Sequence, residues 1–195
     1  AKIDIKGVSV HPGYAKGKMI NAAQVAAVLA AEFPTHETPE HTAEYEGFYH
    51  LLHIEGNVEH ASLSFIIRDH DSARFEERKT FVEKAVAWVN AKYGEGVATA
   101  TITEQYRNMR QQVEPMPHII DIVLDAMREI DIEPKVRAIR GGTDGAQLSF
   151  MGLPCPNIFA GGLNFHGPHE FLPIPSLEKA SRLVVKIIEM TARGI

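Results

Sequence analysis

Two histidines and a glutamate lie within eight residues in the stretch NFHGPHEF, residues 164–171. Two residues separate His166 from His169, and three separate His166 from Glu170, so a helix or tight turn would bring their side chains together. Imidazole and carboxylate groups are common zinc ligands. The stretch is therefore a candidate metal site that supplies at most two or three ligands. The alternative is a surface loop with incidental histidines.

A second candidate is AIRGGTDGAQL, residues 138–148, which combines Arg140 with paired glycines, Thr143 and Asp144. A guanidinium binds a carboxylate through two parallel hydrogen bonds, and a glycine-rich helix start presents free backbone N–H groups to an anion. The stretch could therefore hold a carboxylate. The alternative is an ordinary turn in which Thr143 or Asp144 caps the following helix.

A third candidate is SVHPG, where His11 comes at the end of a predicted strand. A histidine there could donate a hydrogen bond to an oxyanion as it forms. The alternative is a loop histidine near solvent. The single Cys155, between Pro154 and Pro156, is expected to be a core residue rather than a nucleophile.

The elements that position these loops fall into two groups. In the first, AKIDIKGVSV, GFYHLLHIEG, ASLSFIIRDH and VATATITEQYRNM have strand patterns, while MINAAQVAAVLAAEF and ARFEERKTFVEKAVAWVNAKYG have helical apolar stripes. This βαββαβ order predicts an α+β domain over residues 1–113, with a four-stranded antiparallel sheet and two helices on one face.

From residue 114 onward the pattern becomes α/β. PHIIDIVLDAMREI, GTDGAQLSF and SLEKASRLVVKIIEMTARG predict helices, the last with Ser176 as N-cap, and KVRAI and CPNIFA predict strands. Two strands and three helices make a poor independent core. Residues 114–195 are therefore expected to belong to a larger sheet whose other strands are missing, and the start at Ala1, within a strand pattern, also favours a fragment.

Composition narrows the classes of partner. The formal net charge is −5, the pI is about 6.1, and no long basic cluster occurs, so a nucleic acid partner is not expected. No apolar run approaches the ~20 residues that span a bilayer, and no signal peptide pattern begins the chain. We expect a soluble, cytoplasmic protein without a membrane partner.

Together these stretches resemble the peptidase T, or tripeptide aminopeptidase, family, within the wider group of co-catalytic zinc aminopeptidases, carboxypeptidases and aminoacylases. TPEHTAEYEGF, IIRDHD and EQYRNM match the same family, so the resemblance extends through nearly the whole chain. Only small departures occur, such as Tyr14 and Pro168 where a threonine and a basic residue are expected. The resemblance implies that residues 1–113 are a lid that pairs subunits into a homodimer. Residues 114–195 would be the C-terminal portion of a zinc-peptidase catalytic domain.

The resemblance also implies roles for single residues. His166 would be a ligand in a two-zinc site, and His11 would polarise the scissile carbonyl of a small peptide. The peptide-binding region would be lined by Arg107, Asn108, Arg140, Thr143 and Asp144.

The remaining parts of such a site are absent from the sequence. A two-metal hydrolase needs a bridging carboxylate, more terminal ligands and a carboxylate base. The family carries a His-x-Asp motif in its N-terminal half, and none occurs here. We therefore expect a tripeptide aminopeptidase fragment that is inactive alone. The alternatives are a non-enzymatic dimerisation or binding module and a related amidohydrolase, such as a dipeptidase or aminoacylase.

Overall fold

The computed structural model describes residues 1–194 and divides them into two compact units. The first unit comprises Ala1–Gln105 and Ala138–Gly141, and the second comprises Tyr106–Arg137 and the chain from Gly142 onward. The continuous part of the first unit thus ends at Gln105, before the change in sequence pattern at residue 113. The short segment Ala138–Gly141 also belongs to this unit.

The first unit is a four-stranded sheet with the strand order β2-β3-β1-β4, and every neighbouring pair is antiparallel. Its elements in chain order are β1 (Lys2–Lys6), α1 (Ala22–Ala31), β2 (Phe48–Gly56), β3 (His60–Arg68), α2 (Ser72–Tyr93) and β4 (Ala98–Thr101). The βαββαβ prediction is confirmed. The fourth strand is shorter than its predicted stretch.

Alternation along the strands builds the core of this unit. Ile3 and Ile5 of β1 are fully buried, and Ile3 pairs with the equally buried Leu63 of β3. Both helices contribute to the same core, α1 through Val25, Ala26 and Leu29 and α2 through Val82, Ala85, Val86 and Val89. The helical stripe predicted for α2 is therefore the face that it buries.

Polar side chains mark where the two helices begin. Oδ1 of Asn21 accepts a hydrogen bond from the backbone N–H of Gln24 at 3.2 Å, which caps α1 and leaves Met19 outside the helix, although the sequence pattern placed it inside. In the same way Oδ1 of Asp71 accepts from the N–H of Arg74 at 2.9 Å and caps α2.

The second unit contains the helices α3 (Arg110–Val113), α4 (His118–Glu129), α5 (Asp144–Phe150) and α6 (Ile174–Arg193). Helices α4 and α6 pack through a small core of Ala126, Ile130, Leu183 and Met190. Helix α6 begins at Ile174 with Pro173 as its N-cap, so the prediction of Ser176 as the cap is wrong. It ends before Gly194, as predicted.

The two short strands predicted after residue 114 are not formed. Residues 135–139 and 155–160 have no strand assignment within the described chain. A β-strand requires a neighbouring strand that shares its backbone hydrogen bonds. In the described part of the second unit, an isolated β-bridge joins Leu163 to Phe171, outside both predicted strands. None of the helices in residues 1–194 has both the length and the apolar character needed to span a membrane.

Candidate functional site

His11 lies in the first unit, beyond the end of β1 at Lys6, and directly precedes a short 3₁₀ turn over Pro12–Tyr14. The backbone N–H of Gly13 donates to Nδ1 of His11 at 3.1 Å. The ring also lies beside that of Tyr14, with 5.5 Å between centroids. The imidazole is exposed, and the turn holds it through one of its two nitrogens.

Arg140 also belongs to the first unit, although its neighbours in sequence do not. Its guanidinium donates to the carbonyl and to the hydroxyl of Thr42, both at 2.6 Å, and to the carbonyl of Glu46 at 3.1 Å. The same group lies over the ring of Phe48, 4.9 Å from its centroid. The Nε atom is buried without an acceptor among the described residues. Arg140 therefore ties segment 138–141 to the loop at residues 38–46.

A second contact joins the same segment to the first unit. A ring nitrogen, Nε2 of His70, lies 3.2 Å from the carbonyl oxygen of Ile139. The His70 ring in turn meets Tyr45 of loop 38–46 edge-on, with centroids 5.1 Å apart. His70 thus helps to hold this loop and segment together.

Thr143 and Asp144 lie at the start of α5 in the second unit. The hydroxyl of Thr143 accepts from the backbone N–H of Ala146 at 3.3 Å and from Nδ2 of Asn157 at 3.2 Å. Thr143 is therefore the N-cap, as one of the two interpretations of this motif predicted. Asp144 is exposed in the first turn, where a negative charge is favoured by the helix dipole.

Arg107 and Asn108 precede α3 in the same unit. The guanidinium of Arg107 lies over the ring of Phe150, 5.7 Å from its centroid, which brings this side chain to the C-terminal end of α5. Oδ1 of Asn108 accepts from the N–H of Arg110 at 3.0 Å. The second unit therefore brings Arg107 close to the helix that Thr143 caps.

His166 stands in a tight turn with a left-handed backbone, at φ = 64°, and Asn164 is left-handed too, at φ = 56°. A carboxylate oxygen, Oε2 of Glu170, accepts from the backbone N–H of His166 at 2.9 Å. Reciprocal hydrogen bonds between Leu163 and Phe171 close the base of the turn. Glu170 therefore fixes the main chain of the turn, and the imidazole of His166 is exposed.

A complete metal site is not present in the described chain. No group of three or more His, Cys, Asp or Glu side chains within residues 1–194 is arranged to hold a metal ion. The exposed imidazole of His166 suits the chemistry of a zinc ligand, but a catalytic zinc takes three protein ligands.

Sequence reasoning missed Thr42, Glu46 and Gly13 as functional neighbours. Thr42 and Glu46 lie in the stretch TPEHTAEYEGF, for which the sequence indicates only the family resemblance. The contact of Gly13 with His11 spans two residues, so the HPG motif carried a local signal for it.

Comparison with known proteins assigns the first unit. Residues 1–97 match the family model described as a peptidase dimerisation domain of the M20 group. These residues belong to that family. Nearly the whole chain also resembles peptidase T, over the C-terminal half of that protein.

Two relatives show the extent of this similarity. Peptidase T of Parabacteroides distasonis is 56% identical over 193 residues, which is 99% of this chain and 47% of the relative. Peptidase T of Bacillus licheniformis is 54% identical over 190 residues, 97% of this chain and 46% of the relative. The chain thus spans about half the length of the curated relatives it matches.

Solved structures share the fold. A tripeptidase from Staphylococcus aureus has a TM-score of 0.79 at 20% identity, and the match covers 98% of this chain and 51% of that one. The aminopeptidase PepT from Bacillus cereus has a TM-score of 0.74 at 23% identity, with the same coverage of both chains. The chain therefore shares its fold with these two solved structures, and the match to the M20 dimerisation domain covers residues 1–97.

Proposed function

We propose that this chain is the C-terminal half of a cytoplasmic metallo-aminopeptidase that releases the N-terminal residue from tripeptides. The observation that carries the proposal is the 56% identity with a peptidase T over 193 residues, which includes both units. The N-terminal half would supply the other metal ligands and the carboxylate base, so the 195-residue chain alone would be inactive. The first unit would pair two subunits into a homodimer, in keeping with its family.

M20 peptidases generally use metal ions, and we propose that His166 holds one of two zinc ions. The exposure of its imidazole and the rigidity of its turn support this role. When bound, zinc acts as a Lewis acid that polarises a peptide carbonyl. His11 would donate a hydrogen bond to the same carbonyl oxygen as negative charge develops there.

Arg107, Asn108, Arg140, Thr143 and Asp144 are proposed to bind the peptide. For Arg140 the support is its rigid orientation by Thr42 and Glu46, together with a buried Nε–H that has no acceptor among the described residues. The fixed positive charge of this guanidinium would attract the carboxylate of a peptide. Thr143 would act mainly by starting α5 correctly, since its hydroxyl already accepts two hydrogen bonds.

The test compares His166→Ala with His169→Ala in the full-length protein, by zinc content and tripeptide hydrolysis. His169 is the matched control, because it is an exposed histidine of the same turn. We expect His166→Ala to lose zinc and to reduce hydrolysis to background, whereas His169→Ala keeps both. Loss of zinc and activity in His169→Ala alone would contradict the ligand assignment.

Two further outcomes separate the alternatives. Tripeptide hydrolysis by the 195-residue chain alone would contradict the fragment proposal. A full-length dimer without hydrolase activity would identify a binding module, and hydrolysis of dipeptides or N-acyl amino acids instead of tripeptides would identify a related amidohydrolase.

A further inference from the structure

The contact between Gly13 and His11 determines where the proton of the neutral imidazole resides. The backbone N–H of Gly13 lies 3.1 Å from Nδ1 of His11. A backbone N–H can only donate, so Nδ1 must accept and carries no proton. A neutral imidazole with a bare Nδ1 carries its proton on Nε2.

The sequence His-Pro-Gly explains why this contact forms. Pro12 has a fixed φ and starts the 3₁₀ turn, and the N–H of Tyr14 donates to the carbonyl of His11 at 2.9 Å. These constraints leave the N–H of Gly13 directed at the side chain that precedes the turn. A Cβ on residue 13 would lie 3.2 Å from Nδ1, so an alanine there requires the exposed His11 ring to shift by only a few tenths of an ångström.

We infer that the backbone amide of Gly13 is a positioning group that holds His11 as the Nε2–H tautomer. His11 then offers Nε2–H as a hydrogen-bond donor, and the acceptor that fits is the carbonyl oxygen of a bound peptide. A protonated Nε2 has no lone pair for a metal, which separates the role of His11 from that of His166. Only the identity of the acceptor rests on the proposed peptidase function.

The first test is ¹⁵N NMR of the imidazoles in the 195-residue chain, at a pH about two units above the ordinary histidine pKa of ~6.5. We expect a protonated Nε2 and an unprotonated Nδ1 at His11, with the exposed His36 of the same unit as an internal reference. Gly13→Pro removes the N–H and should make the Nδ1–H tautomer detectable, whereas Gly13→Ala keeps the N–H and should not. A protonated Nδ1 in the unmodified chain, or equal tautomer populations in both variants, would overturn the inference.

A second measurement does not depend on the proline variant. A hydrogen bond to Nδ1 protects the Gly13 amide from exchange, so His11→Ala should accelerate the exchange of that amide several-fold. An unchanged exchange rate would overturn the inference.

The third test is kinetic and uses the full-length protein. The amide nitrogen of glutamine reaches the position of Nε2, and that of asparagine reaches only the position of Nδ1. We expect His11→Gln to retain a kcat about tenfold above that of His11→Asn, part of the effect of one oxyanion donor. Equal kcat values would overturn Nε2 as the working donor. Absence of tripeptide hydrolysis in the unmodified full-length protein would instead overturn the proposed function, and the NMR result would still decide the tautomer.

Discussion

At the scale of single residues, an ion-pair cluster around Arg78 joins three parts of the first unit. The guanidinium donates to Oδ2 of Asp69 at 2.8 Å and to Oε2 of Glu37 at 2.7 Å. The side chains of Asp69 and Arg78 are only 2% and 11% exposed. Arg78 also lies over the ring of Tyr49, and burial raises the pKa of Tyr49 although Arg78 opposes that shift. Removing one charged partner from this cluster would therefore leave a buried charge unpaired and destabilise the unit.

We predict that Asp69→Ala destabilises the first unit by about 3 kcal/mol, because it leaves a buried guanidinium without its most buried partner. Urea unfolding followed by the fluorescence of Trp88, the single tryptophan, measures this unit specifically. The control is Glu76→Ala, which removes an exposed partner of Lys79 and should cost less than about 1 kcal/mol. Similar losses in both variants would contradict this account of the cluster.

At the scale of elements, segment 138–141 and loop 38–46 depend on one another. Arg140 supplies three hydrogen bonds to Thr42 and Glu46, and a lysine cannot reproduce the planar, two-nitrogen contact with Thr42. We predict that Arg140→Lys increases amide hydrogen exchange in loop 38–46 by about tenfold, the effect of roughly 1.4 kcal/mol of lost local stability, while β3 exchanges at its original rate.

The matched control for this loop is Arg137→Lys, since Arg137 is an exposed arginine outside the first unit. This substitution should leave the exchange of loop 38–46 unchanged. The dependence on Arg140 would be refuted by unchanged exchange in Arg140→Lys, or by equal acceleration in both variants.

At the scale of the whole molecule, the two units differ in the core that each one buries. The first unit buries apolar side chains from four strands and two helices, whereas the core of the second consists mainly of Ala126, Ile130, Leu183 and Met190. Several large apolar side chains of the second unit are exposed, including Met151, Leu153, Phe165 and Phe171. A small core with exposed apolar surface supports little independent stability.

We predict that the 195-residue chain unfolds in two steps, with the second unit first. Far-UV circular dichroism reports on the helices of both units, including α4 and α6 of the second, whereas Trp88 fluorescence reports on the first unit alone. The dichroism signal should therefore begin to fall at a lower urea concentration than the fluorescence signal. Superimposable curves would show a single cooperative transition and contradict the prediction.

Local pattern was sufficient to predict most of the first unit. Ile3 and Ile5 alternate with polar residues, and Val82, Ala85 and Val89 recur at helical spacing, so each element specifies the face that it buries. The second unit was predicted less well, because the apolar runs at 135–139 and 155–160 form strands only if a neighbouring strand accepts their hydrogen bonds. The predicted start of α6 is also wrong by three residues, because the N-cap is Pro173 and not Ser176.

For the candidate site, the sequence by itself determined which loops carry the polar side chains, and it contained the HPG turn that places Gly13 beside His11. Only the tertiary structure decided that Arg140 is held by Thr42, because 98 positions separate the two residues and no local pattern records such a contact. It likewise decided that Glu170 binds the backbone of His166 rather than its ring, since that choice depends on the left-handed turn at Asn164 and His166. The spacing of residues in the sequence indicates which side chains can come into contact, and the backbone conformation determines which of their atoms form the hydrogen bond.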